Sequence, residues 1–338
     1  MKFTLEQKQE IVKQKHSGLT SRQVATNLNC SKSAVNYVYN AWLDSPYPLY
    51  KPEDVAVRYV KETTYGVTPS ADNSVKLRPK KPKILILDLE TTADIVATFG
   101  RFKVNVGEQN IIQQGNQIVT AAWKFLGDTE VQTAYSKFTG FEIDLDTEYD
   151  LLLELYEAMK EAEAVVIHNA RFDLGTIQHR MLAHGMGRLP TVKVIDTLMI
   201  ARKYLKLRSN KLDSITKYFG LSNKIENSGI PLWIKVQQGD KQALAEMLKY
   251  NIGDVEALED VYNQFLPLNQ GTSLSVFTDL DTKRCTSCGS HNVNPTGRKV
   301  TTSLSAFDEY ECTDCGARMR NRVNSLTKEQ RSNILMPV

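Results

Sequence analysis

KILILDLET, residues 83–91, reads as a short buried strand that runs straight into two carboxylates. Four consecutive aliphatic side chains, Ile84 to Leu87, need apolar cover on both faces, the habit of a strand inside a sheet. Asp88 and Glu90 lie two residues apart, so the alternation of a strand sends both to one face. Two carboxylates leaving one face of a buried strand repel each other. Burying them unpaired costs several kcal/mol or forces protonation, and a divalent cation removes the conflict. The plainer alternative is that the pair lies at the solvent edge of the strand and ends it.

Working outward, residues 118–126 and 131–135 predict two more strands around a Gly127-Asp128 turn. Residues 148–162 predict an amphipathic helix with Leu151, Leu152, Leu155 and Met159 on one side. The apolar run 164–167 predicts a strand. His168-Asn169-Ala170-Arg171-Phe172-Asp173 follows it and puts Asp173 at the mouth of the sheet, where a helix over 173–184 begins. A strand over 192–195 and several helices out to Phe265 complete the pattern. Tyr250-Asn251-Ile252-Gly253-Asp254 stacks Tyr250 over Asp254 if the stretch is helical. Taken singly, Asp173 is an ordinary acid at a helix N-terminus, and Tyr250 with Asp254 is a surface pair.

Together the three segments resemble the motifs of the DEDD exonucleases: D-x-E at 88–90, N-x-x-F-D at 169–173 and Y-x-x-x-D at 250–254. Tyrosine at the first position of the third motif is similar to the DEDDy branch. The run FGRFKVNVGEQNI and the segment IDTLMIARKY resemble phage-encoded exonucleases that also end in a cysteine ribbon. The resemblance covers about residues 83–265 and implies an α/β fold: a ribonuclease H-like exonuclease core with a mixed five-stranded sheet flanked by helices. It also implies 3′→5′ hydrolysis of phosphodiester bonds with two Mg²⁺ or Mn²⁺ ions, roughly 4 Å apart. Asp88 would bridge both ions, Glu90 and Asp254 would hold the nucleophile-side ion, and Asp173 would help fix the other. Tyr250 would orient the attacking water, since a phenol with an ordinary pKa near 10 is a poor base. Asn169 and Thr91 would meet the substrate backbone and its terminal nucleotide. Phe172 is expected to pack under the site, Asp196-Thr197 to cap the next helix, and His168 and His179 to be structural. Lys211 either reaches a phosphate or starts a helix.

The two ends differ from this core. Residues 1–83 carry 14 Lys/Arg against 7 Asp/Glu and residues 283–338 carry 9 against 5, which leaves the middle at −8 within a net charge of +3. Basic ends around an acidic centre suit phosphate contacts flanking a cation site, although uneven solvation produces the same pattern. Residues 5–42 predict three short helices, with Ser21 capping the second. Val24, Ala25, Leu28, Cys30, Val35 and Val38 stand where a helix-turn-helix wants buried or small residues, and Asn29 tolerates a left-handed turn. The segment resembles the resolvase/transposase type, which would present Lys32, Ser33, Asn36 and Tyr37 to DNA. A three-helix module that docks a protein is the alternative.

Near the other end, Cys285-x2-Cys288 and Cys312-x2-Cys315, 23 residues apart, predict a ribbon closing a structural zinc site of four thiolates. Arg298, Lys299, Arg318, Arg320 and Arg322 make that ribbon a candidate phosphate-gripping surface. The expected layout is a helix-turn-helix over 1–44, a basic linker over 45–82, the core over 83–270, the ribbon over 284–323 and a tail over 324–338. Removing zinc is expected to unfold the ribbon while leaving the acidic site formed. The lack of an apolar leader or membrane-length run predicts a cytoplasmic protein, in host cytoplasm if phage-encoded. Expected partners are nucleic acid, DNA and a single-stranded 3′ end favoured, and replication or recombination proteins. Rival functions are a DNA-binding regulator with an inactive nuclease-like core and a structure-specific endonuclease of the same fold.

Overall fold

The computed structural model describes residues 5–16, 19–43, 81–100, 102–221, 228–269 and 271–335, so the expected linker lies almost wholly outside the described residues. Two compact units result. One holds the N-terminal helices together with residues 145–150, and the other holds residues 81–144 and 151–335.

In the first unit, α1 (Leu5–His16), α2 (Ser21–Asn27) and α3 (Lys32–Leu43) enclose Ile11, Val12, Val24, Ala25, Val35 and Val38, with Leu28 and Cys30 packed against them. Asn29 adopts φ +48°, the left-handed conformation its position predicted. Thr20, not Ser21, caps α2. The Gln23 amide donates to the Thr20 hydroxyl at 3.4 Å and the Thr20 amide donates to the Gln23 side chain at 2.9 Å, a reciprocal capping box.

In the second unit, the mixed sheet runs in the order β5 (Gln132–Tyr135), β4 (Ile118–Phe125), β1 (Ile84–Thr91), β8 (Ala164–Ile167), β9 (Lys193–Asp196). β1 pairs antiparallel with β4 and parallel with β8. Its centrality explains the unbroken aliphatic run. Leu85, Leu87 and Leu89 join one buried cluster with α5 (Ala170–Ala183) and the residues from Leu151 onward of α4 (Leu145–Glu161). Ile84 and Ile86 join the other, with α6 (Thr197–Tyr204), α7 (Leu212–Phe219) and α9 (Lys241–Phe265). Each such side chain contributes about 1.5–3 kcal/mol on burial. Alternation therefore aims Asp88 and Glu90 at the α9 side. α9 starts at Asp240, whose carboxylate accepts from the amides of Gln242 and Ala243. It is tied to β4 by a largely buried Lys124–Glu259 ion pair at 2.6 Å.

Between β1 and β4 the chain makes an excursion over β2 (Ile95–Val96) and β3 (Ile111–Gln113), which pair as a hairpin. Short strands β6 (Phe138–Thr139) and β7 (Glu142–Ile143) precede α4, and α8 (Ile230–Gln237) packs beside α9.

The cysteine unit is a three-stranded sheet of β10 (Val293–Thr302), β11 (Ser305–Cys312) and β12 (Arg318–Arg320), followed by a short α10 (Lys328–Ser332). It belongs to the same compact unit as the core. Leu274, in the expected connector, is fully buried among α9 side chains, and its amide donates to the Thr286 carbonyl at 2.7 Å. Ser287 donates to the Asn269 carbonyl at 2.8 Å. Gly289 (φ +75°) leaves room for Pro82 and Thr278: a Cβ there would stand 2.9–3.2 Å from them.

Candidate active site

Pairing of β1 with β4 shifts register between Glu90 and Thr91, so the ladder breaks just past the acids. Carboxylate oxygens of Asp88, Glu90 and Asp254 all lie within 4.8 Å of one another, Asp254 buried and the other two half-buried. Tyr250, one helical turn before Asp254, hydrogen-bonds its carboxylate. Burial first, then the charges of Asp254, Glu90 and Asp88, push the Tyr250 pKa far up, so the phenol keeps its proton and acts as a donor.

Three side chains with no expected role hold this arrangement. Asn251, fully buried on α9, donates from Nδ2 to Asp88 Oδ2 at 2.7 Å, while the Thr120 hydroxyl of β4 donates to Asn251 Oδ1 at 3.0 Å. Trp233 of α8 donates from Nε1 to Glu90 Oε2 at 3.2 Å and packs edge-on against Tyr250, ring centroids 6.1 Å apart. Each acid of β1 is thus fixed by a neutral donor that leaves its charge intact. Only Asn251 carries a local signal, since it lies three residues before Asp254 on the same helix side.

Asp173 stands outside the three-acid group, in the first turn of α5 and almost fully buried. Burial raises its pKa to about 7 and Asp196 adds to the rise, against the pull of the Asp173 and Leu89 backbone amides. α5 begins at Ala170, three residues before the expected start. The reason is non-local: Asp196 accepts from the Asn169 and Ala170 amides at 3.1 and 3.0 Å while capping α6 through Leu198 and Met199. Asn169 itself is left-handed, φ +75° and ψ +51°.

Asn169, Phe172 and His179 line a shallow cavity of about 400 Å³ with Asn116 and Arg171. Phe172 is 43% exposed there rather than packed beneath the site, because Asp173 and Ala170 take the inward positions of that turn. Thr91 is half-buried at the end of β1. His168 is structural as expected, with Nδ1 2.9 Å from the Thr197 hydroxyl and Nε2 2.9 Å from the Asn210 carbonyl. Lys211 precedes α7 as its N-cap residue.

Carboxylates and a phenol form a hard-oxygen donor set, which fits Mg²⁺ or Mn²⁺ better than zinc. The four cysteines fit zinc. Their sulfurs converge within 4.8 Å, with Cys285–Cys315 at 3.6 Å and Cys288–Cys312 at 3.7 Å. A tetrahedron with Zn–S bonds of about 2.3 Å has edges of about 3.8 Å. Gly289 and Gly316 take positive φ, +75° and +71°, as the two knuckle turns require. Tyr262 of α9 faces the same cluster. Its hydroxyl is buried without a hydrogen-bond partner, and burial followed by the nearby Cys288, Cys315 and Cys285 pushes its pKa up.

The expected phosphate-gripping residues of the ribbon face acids of their own. Lys299 pairs with Asp308 at 2.7 Å and Arg318 reaches Glu311 at 3.9 Å. Arg320 stands opposite Glu309 and covers the Phe307 ring at 3.9 Å. Arg298 and Arg322 are exposed. On α3, Lys32 and Tyr37 are exposed and Asn36 half-buried. Ser33 is buried, donating to Asp150 Oδ1 at 2.6 Å within the same unit, so its hydroxyl is already engaged.

A model of the RNase H superfamily matches residues 85–266, more than half of the chain. The chain belongs to that family, whose fold supports nuclease chemistry in general. A solved family B DNA polymerase from the hyperthermophilic archaeon Pyrobaculum calidifontis is similar at 15% identity and a TM-score of 0.41, over 55% of this chain and 25% of the polymerase. The chain therefore spans about a quarter of that polymerase's length. No curated protein matches the chain. Among the described residues no helix is long and apolar enough to cross a membrane.

Proposed function

We propose that the protein is a metal-dependent 3′→5′ exonuclease of the DEDDy type that shortens nucleic acid, DNA favoured. The observation that carries this reading is the convergence of Asp88, Glu90 and Asp254 within 4.8 Å, with the Tyr250 hydroxyl on Asp254. Asp88, Glu90 and Asp254 would hold divalent cations, and Asp173 would complete the acidic set. Mg²⁺ or Mn²⁺ bound there would acidify a water and stabilise the leaving 3′ oxygen. Tyr250, protonated, orients that water. Asn251 and Trp233 keep the β1 carboxylates aimed at α9. Asn169 would hold the substrate backbone and Thr91 the terminal nucleotide.

The flanking modules would add grip. The three N-terminal helices read as a helix-turn-helix with Lys32, Asn36 and Tyr37 toward DNA, and the cysteines as a structural zinc site. Arg298 and Arg322 are the cations of the ribbon best placed to meet phosphate.

The test is a 5′-labelled single-stranded DNA incubated with Mg²⁺ or Mn²⁺, comparing wild type, Asp88→Ala and an EDTA control. A metal-dependent ladder shortening from the 3′ end, absent in the variant, supports the reading. Internal cuts without a ladder point to an endonuclease. Intact DNA, duplex and RNA in every lane alongside tight binding point to a regulator.

A further inference from the structure

The excursion between β1 and β4 carries the two most exposed aromatic rings among the described residues. Phe99 is fully exposed and Phe102 is 83% exposed, with Ile112 and Val106 also open to solvent. A Cβ added to Gly100, between the two rings, would meet nothing within 4 Å. Aromatic rings held in water on a projecting hairpin cost apolar exposure, and exposed patches of this kind mark binding surfaces.

Two observations identify what binds. The first is position. The hairpin leaves directly from the catalytic strand: Thr92 is buried at its root, the Thr92 amide donates to the Gln117 carbonyl at 2.9 Å and the Gln117 amide donates to the Thr92 hydroxyl at 3.0 Å. Its other leg returns through Asn116, which lines the cavity shared with Asn169 and the exposed Phe172. Gly115 is required there, since a Cβ would stand 2.6 Å from the Thr92 carbonyl oxygen. The second is chemistry. Around the rings the sequence reads Phe99-Gly100-Arg101-Phe102-Lys103, and Glu108 is the one acid between residues 95 and 113. Lys103 Nζ lies 5.4 Å from the Phe102 centroid. Rings interleaved with cations match alternating bases and phosphates of a single strand. A duplex hides its base faces and offers phosphates alone.

We infer that residues 95–100 and 102–113 form a stacking finger that holds unpaired bases of the strand whose 3′ end enters the acidic site. The inference rests on the nuclease reading for the identity of the substrate and assigns it as single-stranded. Phe99 and Phe102 stack on bases and Lys103 meets the intervening phosphate. The finger does no chemistry; it sets affinity and the number of nucleotides removed per encounter.

The test separates binding from hydrolysis. Anisotropy of a fluorescent thymidine oligonucleotide is measured in EDTA for wild type, F99A/F102A, F99L/F102L and F99W/F102W. Hydrolysis of a p-nitrophenyl ester of thymidine 5′-phosphate with Mn²⁺ reads the acidic site alone. Base stacking is worth at least about 5-fold in affinity per ring, so both the alanine and leucine pairs should bind about 25-fold more weakly. The tryptophan pair should bind like wild type, and all four proteins should hydrolyse the ester equally. Affinity for a blunt duplex should not change. Unchanged oligonucleotide binding in the alanine pair overturns the inference and leaves the patch to a protein partner. Wild-type affinity in the leucine pair overturns it too, because apolar volume without a ring would then suffice. An inactive wild type that still loses affinity on ring removal refutes the exonuclease reading and leaves the finger standing.

Discussion

Replacing Asn251 by alanine tests whether the acidic site is held by its neutral neighbours. The side chain removed is fully buried and bonds in two directions, to Asp88 at 2.7 Å and to Thr120 at 3.0 Å. A hydrogen bond to a charged acceptor is worth about 1.5–3 kcal/mol and a neutral one about 0.5–1.5 kcal/mol. Asn251→Ala should therefore cost about 2–4 kcal/mol, since the Thr120 hydroxyl loses its acceptor in an interior without water. At about 2–4 °C per kcal/mol for a domain of this size, the midpoint should fall by roughly 5–15 °C. Thr120→Val, which breaks only the outer bond, should cost about half as much. Freed of its donor, Asp88 samples rotamers that do not face Glu90 and Asp254. If the lost bond energy appears in the transition state, kcat falls by about 10- to 150-fold. The measurement is a urea double-mutant cycle in EDTA over Asn251→Ala and Asp88→Asn, with turnover of the singles alongside. A coupling energy below about 0.5 kcal/mol would mean that the two side chains are independent. Paired with an unchanged turnover of Asn251→Ala, that result refutes the positioning argument.

Three further outcomes follow from the same geometry. Tyr250→Phe should keep the fold and the metal requirement while lowering kcat at least about 10-fold, because only the hydroxyl is lost and the ring stays; a steady-state comparison of kcat with KM checks it. Trp233→Phe keeps the ring against Tyr250 but removes the donor on Glu90, so the Mn²⁺ concentration for half-maximal activity should rise a few-fold with little change in kcat. Cys312→Ser should lower the melting temperature of the nuclease fold as well as that of the ribbon, since Leu274 joins the α9 cluster and Tyr262 faces the cysteines; two separate transitions in calorimetry, the larger unmoved, would show an independent ribbon.

What the sequence disclosed and what it concealed divide along the range of the interactions involved. Asp88 and Glu90 were readable because alternation along one strand places them, and Tyr250 with Asp254 because one helical turn does. The cysteine set was readable because spacing within each knuckle is local. Trp233 was not, since it meets Glu90 from 143 residues away and nothing beside it in the chain announces the contact. The early start of α5 was hidden for the same reason: its N-terminal amides are satisfied by Asp196, 26 and 27 residues on. Thr20 is a different kind of miss. Thr20 and Gln23 form a local capping box, a signal present in the sequence that the choice of Ser21 passed over. Neutralisation of the ribbon's cations by Asp308 and Glu311 needed the strand register, which composition does not contain.

α9 lies between the two candidate metal sites that share one compact unit. Tyr250, Asn251 and Asp254 face the sheet from its middle, while Tyr262 and Phe265 occupy its C-terminal end. At about 1.5 Å per residue, Asp254 and Tyr262 are about 12 Å apart along the axis. The cysteine sulfurs gather against Tyr262, and Leu274 closes the apolar cluster around Val255, Leu258 and Val261 from the ribbon side. Loosening the knuckles would therefore uncover apolar side chains of the helix that carries Asp254. A structural zinc held by these four cysteines would in this way support the geometry of an acidic site it never touches. Tyr262, fully buried on α9 and facing the cysteine cluster, is the side chain through which that requirement would act.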